Sequence, residues 1–223
     1  MPKNCLHYIV ILFALILVNA CQFSEDKVNY LPTKHIDTNV YNKLYKQFNV
    51  GHIFKAHNYL GNLKPNYPVA FTSQLLFDPK GKPVSRDTDW VQGGFFPSAR
   101  KVIVKTDTGY VMLNNRQEVK KFYAPISSQE EALAYATLYN LAFAAFEDFF
   151  NAKSFRYVGE KPKASYAKEK NGAYEVHLFS YKAFGCDHPY FSEIYEVRQD
   201  GSVRLVSRQR SFTNPKDDGL CVD

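Results

Sequence analysis

The fold is decided by residues 127–150, which read SSQEEALAYATLYNLAFAAFEDFF. Ser127 followed three residues later by Glu130 matches the capping-box pattern that begins a helix. From residue 131 to residue 150 there is no Gly or Pro, and apolar side chains occupy nearly every face of a helical projection. We therefore predict a single apolar helix of about 22 residues, roughly 33 Å long.

A helix of this length could also span a bilayer, whose hydrocarbon core is about 30 Å thick. Three polar residues interrupt the apolar surface: Asn140, Glu147 and Asp148. The Tyr and Ala content of the stretch is typical of a helix packed inside a globular domain. We therefore predict a buried core helix here.

The period of the apolar pattern changes to two after the helix, which indicates β-strands. Short turns such as Asn171-Gly172 and Asp200-Gly201 connect them, so neighbouring strands should run antiparallel. A long apolar helix followed by such a meander must bury itself against one face of the sheet. The predicted strands are residues 154–158, 164–168, 174–181, 191–198 and 203–212.

The part of the chain before the helix predicts a smaller helix and a β-hairpin region. Apolar residues at helical spacing favour a helix over residues 40–48. A strand is predicted at 69–77, and residues 101–105 and 110–113 flank a turn as in a hairpin. A short helix is predicted at residues 116–123.

These elements predict the α+β class. Their order resembles that of cystatin-like or nuclear-transport-factor-like folds, in which a long helix packs on an antiparallel sheet. The resemblance concerns the order of elements only, so it implies no functional residue. We expect one domain over residues 36–223, within which 36–123 could form an N-terminal subregion.

The first 20 residues are typical of an export signal, because Lys3 precedes an unbroken apolar run over residues 9–18. Ten residues of helix cover roughly half of a bilayer core, too short to span it. The run ends in Val18-Asn19-Ala20-Cys21, which resembles a bacterial lipobox. The resemblance implies cleavage before Cys21 and attachment of diacylglycerol to its sulfur. The alternative is an ordinary signal with a fortuitous Cys.

The predicted partner of the N-terminus is therefore a membrane, reached through a lipid anchor on Cys21. Residues 21–35 would form a flexible tether of about 20 Å. Gln22 follows the Cys, and lipoproteins without Asp at that position resemble those sorted to the outer membrane of Gram-negative bacteria. Without the signal the chain has a net charge of +5, which favours anionic lipid headgroups or surface polymers. No basic stripe with interleaved aromatics exists, so nucleic acid is not an expected partner.

Cys186 and Cys221 remain once Cys5 leaves with the signal and Cys21 is lipidated. An even pair of Cys in an exported protein predicts a disulfide. The bond would fix the C-terminal tail, residues 214–223, to the domain. The alternatives are free thiols, a metal ligand, or a nucleophilic Cys186 beside His188.

Two groups of side chains are candidate sites. Glu175, His177 and Tyr181 share one face of the predicted strand 174–181 and could line a pocket, since residues two apart point to the same side. The alternative is a polar outer face of the sheet. Trp90, Phe95 and Phe96 are candidates for a recognition loop, because loop aromatics anchor partners; alternatively, Trp90 anchors the core of the N-terminal region.

We expect no metal and no cofactor. His52 and His57 have neither the spacing of a helical zinc pair nor that of a finger, and the acidic residues around Trp90 match no calcium-loop pattern. No nucleotide-binding or hydrolase motif is present either.

The leading hypothesis is therefore a non-catalytic, lipid-anchored binding or structural module of the bacterial envelope, whose partner is an envelope protein, a polymer or a small ligand. The alternatives are a periplasmic enzyme with a site around His177, or a surface-exposed protein that captures or blocks external agents.

Overall fold

The computed structural model describes residues 30–56, 58–77, 80–83, 89–93 and 97–222. Within them the chain forms two antiparallel β-sheets and four α-helices, which confirms the predicted α+β class. The helices are α1 (Tyr41–Phe48), α2 (Arg116–Tyr123), α3 (Gln129–Asn140) and α4 (Glu147–Asn151). The strands are β1 (Ile53–Lys55), β2 (Val69–Leu75), β3 (Val91–Gln92), β4 (Ser98–Thr106), β5 (Gly109–Leu113), β6 (Arg156–Tyr157), β7 (Tyr166–Lys170), β8 (Ala173–Tyr181), β9 (Tyr190–Val197) and β10 (Val203–Thr213).

The N-terminal sheet has the strand order β1-β2-β4-β3, with β5 also paired to β4. The β4–β5 pair is the hairpin that the sequence predicts, closed at Thr106 and Gly109. Helix α1 covers one face of this sheet, where Leu44 packs with Ile53 and Ile103. The opposite face carries Phe71, Val102 and Val104 into the main core.

The C-terminal sheet has the strand order β6-β10-β9-β8-β7. Strands β7 to β10 form the predicted meander. Gly201, in the turn before β10, has φ +79°, and a Cβ at this position would lie 3.0 Å from the Tyr135 hydroxyl oxygen. Only glycine combines this backbone conformation with so close an approach, so the turn can pack directly against helix α3.

Helix α3 lies in the core that both sheets share. Every residue from Glu131 to Leu138 is buried, and Leu133, Tyr135 and Leu138 belong to the same hydrophobic cluster as residues of both sheets. A helix buried on all sides needs no polar face, which explains the apolar pattern of the sequence. Its N-cap is Ser128, whose Oγ accepts a hydrogen bond from the Glu131 amide, one residue later than predicted.

The helix predicted within residues 127–150 is too long. Helix α3 ends at Asn140, and Leu141 is left-handed with φ 51°. The chain then runs extended, and Phe143 and Phe179 exchange two backbone hydrogen bonds of 2.9 Å each, before α4 begins at Glu147. A continuous helix could not form these two hydrogen bonds with the sheet. The cystatin-like element order is accordingly not confirmed.

Beyond the break, aromatic side chains cover the other face of the C-terminal sheet. Phe150, Phe179 and Phe212 are almost fully buried there, and the rings of Tyr190 and Phe212 stack with centroids 4.6 Å apart. Phe143, Phe149 and Phe150, which the sequence assigns to the long helix, therefore belong to a separate core, whereas Phe146 packs against the main one.

Residues 30–35, which the sequence assigns to the tether, lie against the domain. The Leu31 amide donates to Asn62 Oδ1 at 3.0 Å, and the ring centroids of Tyr30 and Phe146 are 4.0 Å apart. Cys21 and the apolar run of the signal lie outside the described residues. In the part of the chain that is described, no helix has the length and apolarity to cross a membrane.

Candidate functional site

A cavity of about 640 Å³ lies where helix α3 breaks. On one side are Phe54, Phe71 and Arg100 of the N-terminal sheet, and on the other is the irregular segment 141–146 with the start of α4. Ligand pockets commonly have volumes of about 300–1,000 Å³ and largely apolar walls. We call this cavity the aromatic cleft, since six aromatic residues line it: Phe54, Tyr59, Phe71, Phe143, Phe146 and Phe149.

Strand register brings the first wall together. Phe54 pairs with Phe71, and Phe71 pairs with Val102, so these three side chains lie on the inner face of the sheet. Arg100 stands two residues before Val102 on β4 and therefore shares that face. The result is a cationic side chain beside Phe54 and Phe71 on the inner face of the sheet.

Hydrogen bonds and ring contacts hold the second wall in place. Asn58 Nδ2 donates to the carbonyl of Ala142 at 3.1 Å and ties the two walls together. The rings of Tyr59 and Phe146 meet edge to face with centroids 4.9 Å apart. Leu141 holds a left-handed conformation that is unfavourable for a bulky residue. The shape of the cleft is therefore fixed by contacts in the protein itself.

Arg100 is the unusual polar group in the cleft. Its Nε is buried and has no hydrogen-bond partner among the described residues, and burial lowers the pKa of its guanidinium. An arginine nevertheless remains protonated in a protein. The guanidinium carbon lies 5.4 Å from the ring centroid of Phe54 and 5.9 Å from that of Phe71, so aromatic faces are its neighbours.

The predicted pocket residues on β8 share a face, but each is engaged in structural contacts. His177 is only 4% exposed; its Nδ1 lies 3.1 Å from the Ala164 carbonyl and its Nε2 2.7 Å from Ser192 Oγ. Burial lowers the pKa of this imidazole. Both ring nitrogens are occupied by neighbours in the protein.

Glu175 is held by two lysines. Its Oε1 accepts from Lys168 at 2.8 Å and its Oε2 from Lys170 at 2.6 Å, while the Tyr166 hydroxyl donates at 3.0 Å. These hydrogen bonds lower the pKa of Glu175 to about 2. A carboxylate with so low a pKa is a weak general base at neutral pH.

Tyr181 faces the C-terminal tail, where its hydroxyl donates to Asp217 at 3.1 Å. Glu175, His177 and Tyr181 therefore belong to separate hydrogen-bond networks. None of the three lines the aromatic cleft.

The other candidate, Trp90, is a core residue. It is 6% exposed, and its Nε1 donates to the carbonyl of Tyr139 at 2.8 Å. This position fits the alternative interpretation, in which Trp90 anchors the core of the N-terminal region. A buried indole is not available to bind a partner at the surface. Phe95 and Phe96 lie outside the described residues.

The predicted disulfide is present between Cys186 and Cys221, so Cys186 is not a free nucleophile. The Nε2 of His188 lies 3.0 Å from the carbonyl of Leu220, which adds a second link to the tail. A cavity of about 370 Å³ borders the disulfide. Its arginines, Arg156 and Arg210, are both paired with aspartates.

Sequence reasoning missed the aromatic cleft. One signal was available: Ser98, Arg100, Val102 and Val104 alternate onto one face of β4, so a strand beginning at 98 would have placed a cation in the core. The second wall could not be found, because it exists only where the predicted helix breaks.

Comparison with known proteins assigns no role to any of these residues. No known protein family, no curated protein and no solved structure matches the chain. The aromatic cleft is identified by its geometry.

Proposed function

We propose that this chain is a lipid-anchored protein of the bacterial envelope whose domain binds a small, largely apolar ligand in the aromatic cleft. The observation that carries the binding function is the cavity itself, about 640 Å³ with six aromatic residues in its walls. Apolar surface in contact with water is unfavourable by roughly 25 cal/mol per Å². A ligand that covers these rings would remove that cost.

The chemistry of the lining favours binding over catalysis. Among the described residues its polar side chains are Asn58, Tyr59, Arg100 and Asp148, and these four include no Ser, Cys or His that could act as a nucleophile or neutral-pH base. His177, the centre of the enzyme hypothesis, has both ring nitrogens engaged elsewhere. We therefore favour a non-catalytic module.

The lipobox-like Val18-Asn19-Ala20-Cys21 supports the anchor. Tyr30 lies nine positions after Cys21, and an extended chain covers at most about 3.3–3.6 Å per residue. Tyr30 contacts Phe146, which lines the cleft. An acylated Cys21 would therefore keep the cleft within roughly 30 Å of the lipid surface. In a Gram-negative cell, Gln22 favours the outer membrane.

The anchor is tested by Cys21→Ala in the full-length chain, with Cys5→Ala as the matched control. We expect C21A to leave the membrane fraction and to lose labelling by a clickable fatty acid, because its sulfur is the acylated atom. C5A, whose Cys is removed with the signal, should behave as the native chain. A C21A protein that stays in the membrane fraction and is still labelled would contradict the proposal.

Ligand binding is tested on the unacylated C21A chain with the neutral fluorophore N-phenyl-1-naphthylamine. Ala144 lines the cleft, so Ala144→Trp should fill it and weaken binding at least tenfold. Ala183 is exposed and outside the cleft, and Ala183→Trp is the control that should leave binding unchanged. Equal binding by A144W and the parent chain would show that the fluorophore does not use the cleft.

A further inference from the structure

We propose that the ligand of the aromatic cleft is an organic anion, with an apolar body against the rings and a carboxylate, sulfonate or phosphate group on Arg100. This inference rests on the proposed binding function and specifies its ligand class.

The first argument is a comparison of Arg100 with the other arginines of the described chain. Each of the others forms an ion pair with a carboxylate at 2.8–3.0 Å, whereas Arg100 forms none with any described residue. The paired residues are Arg116, Arg156, Arg198, Arg204, Arg208 and Arg210. Arg100 is also the one whose Nε is buried without a hydrogen-bond partner.

The second argument concerns what Arg100 requires, since its side chain is partly buried and its Nε is withdrawn from water. A charge withdrawn from water is unfavourable unless it is paired and hydrogen-bonded. Two ring faces more than 5 Å away attract a guanidinium but accept no hydrogen bond in its plane. An anionic group would supply that missing acceptor, and the guanidinium fork matches the two oxygens of a carboxylate or phosphate.

The third argument is the distribution of charge around the cleft. Asp148 is the acidic residue in the lining; it is exposed and forms no ion pair with Arg100. Its charge is therefore solvated and screened. Arg100 contacts the rings of Phe54 and Phe71 instead, so the cation stands at the apolar wall. This arrangement selects a ligand in which an anion is attached directly to an apolar body.

The test uses two fluorophores that differ by one sulfonate: 8-anilinonaphthalene-1-sulfonate and the neutral N-phenyl-1-naphthylamine. On the C21A chain we expect the anion to bind at least tenfold more tightly. Arg100→Met should abolish this preference while N-phenyl-1-naphthylamine still binds, and Arg100→Lys should retain part of it. Arg198→Met, which removes an exposed arginine outside the cleft, should keep the full preference.

The stability of R100M without ligand distinguishes a ligand-binding role of Arg100 from a merely structural one. If Arg100 serves a ligand, R100M without ligand should unfold at a urea concentration no lower than the parent chain, because an unpaired and partly buried charge is removed. A clear fall in that midpoint would overturn the proposal. So would equal affinity for the two fluorophores, although binding of the neutral one would leave the proposed function intact. Binding of neither fluorophore would overturn both.

The origin of the anion is resolved by displacing the bound sulfonate probe. Dodecanoate or dodecyl phosphate, but not dodecanol, should displace it if the ligand derives from lipid. Indole-3-acetate, but not indole, should displace it if the ligand is a soluble aromatic acid. Displacement by the neutral compounds as effectively as by the acids would contradict the role given to Arg100.

Discussion

The two ionisable residues of β8 show how neighbours determine the chemistry of a single side chain. Glu175 and His177 are two positions apart on the same strand face. Glu175 accepts hydrogen bonds from Lys168 and Lys170, which lower its pKa to about 2. His177 is buried, and desolvation lowers the pKa of its ring. The sequence predicts their common face, but their protonation depends on partners from β7 and β9 that no local pattern specifies.

The pKa of Glu175 predicts how acid affects folding. Because the folded value of about 2 lies below the value near 4.3 of an unfolded Glu, the ionised side chain stabilises the fold above about pH 4.3. This contribution is lost as the pH falls through about 2. Glu175→Gln should therefore have a lower free energy of unfolding than the native chain at pH 7, and the difference should vanish near pH 2.

Urea unfolding at several pH values measures this difference. Glu160 is exposed and has no ion pair among the described residues, so Glu160→Gln is the matched control and should give no comparable pH dependence. If the free energy of unfolding of E175Q stayed below that of the native chain by the same amount from pH 7 to pH 2, the role of the lysine contacts would be contradicted.

At the scale of elements, the sequence predicts most strands and three helices, and fails at the end of the central one. Hairpins were predictable because turns such as Asn171-Gly172 are local signals. The break after Asn140 was not, because no Gly or Pro marks it. Leu141 becomes left-handed since the following residues gain hydrogen bonds from Phe179, a partner 36 positions away from Phe143. The aromatic cleft depends on this distant pairing and was therefore missed.

The difference in stability between two variants of Leu141 distinguishes a helix that ends at Asn140 from one that continues. Leu141→Ala and Leu141→Gly both remove the side chain, but only glycine relieves the left-handed backbone, which is unfavourable by roughly 1–2 kcal/mol for other residues. L141G should therefore be more stable than L141A by about 1 kcal/mol. In a continuous helix the order would reverse, with glycine about 1 kcal/mol worse than alanine.

Equilibrium urea unfolding of the two variants provides the measurement, and Leu138 is the control position. Leu138 lies inside α3 and is fully buried, so at this site the glycine variant should be the less stable one. If glycine were also worse than alanine at position 141, the break in the helix would be refuted.

At the scale of the whole molecule, the two sheets share one core around α3, whereas the tail has a different kind of attachment. Among the described residues after β10, which are 214–222, none belongs to the hydrophobic clusters. The tail is held by the Cys186–Cys221 disulfide, by the backbone bridge between Gly185 and Val222, and by polar contacts such as Tyr181 with Asp217. The covalent bond therefore compensates for the absence of apolar packing.

This attachment predicts a separable effect of the disulfide. In the chain-entropy picture, a closed loop of about 36 residues contributes up to roughly 4 kcal/mol by restricting the unfolded chain. Cys186→Ala combined with Cys221→Ala should thus lower the free energy of unfolding by up to about 4 kcal/mol.

In the folded state, amide exchange should accelerate at Gly185 and Val222, whose backbone groups hydrogen-bond to each other, while the amides of α3 remain protected. Dithiothreitol should destabilise the parent chain and leave the double variant unchanged, because only the parent contains a bond to reduce. If α3 lost protection in the folded double variant, the tail would be part of the cooperative core and not a covalently held appendage.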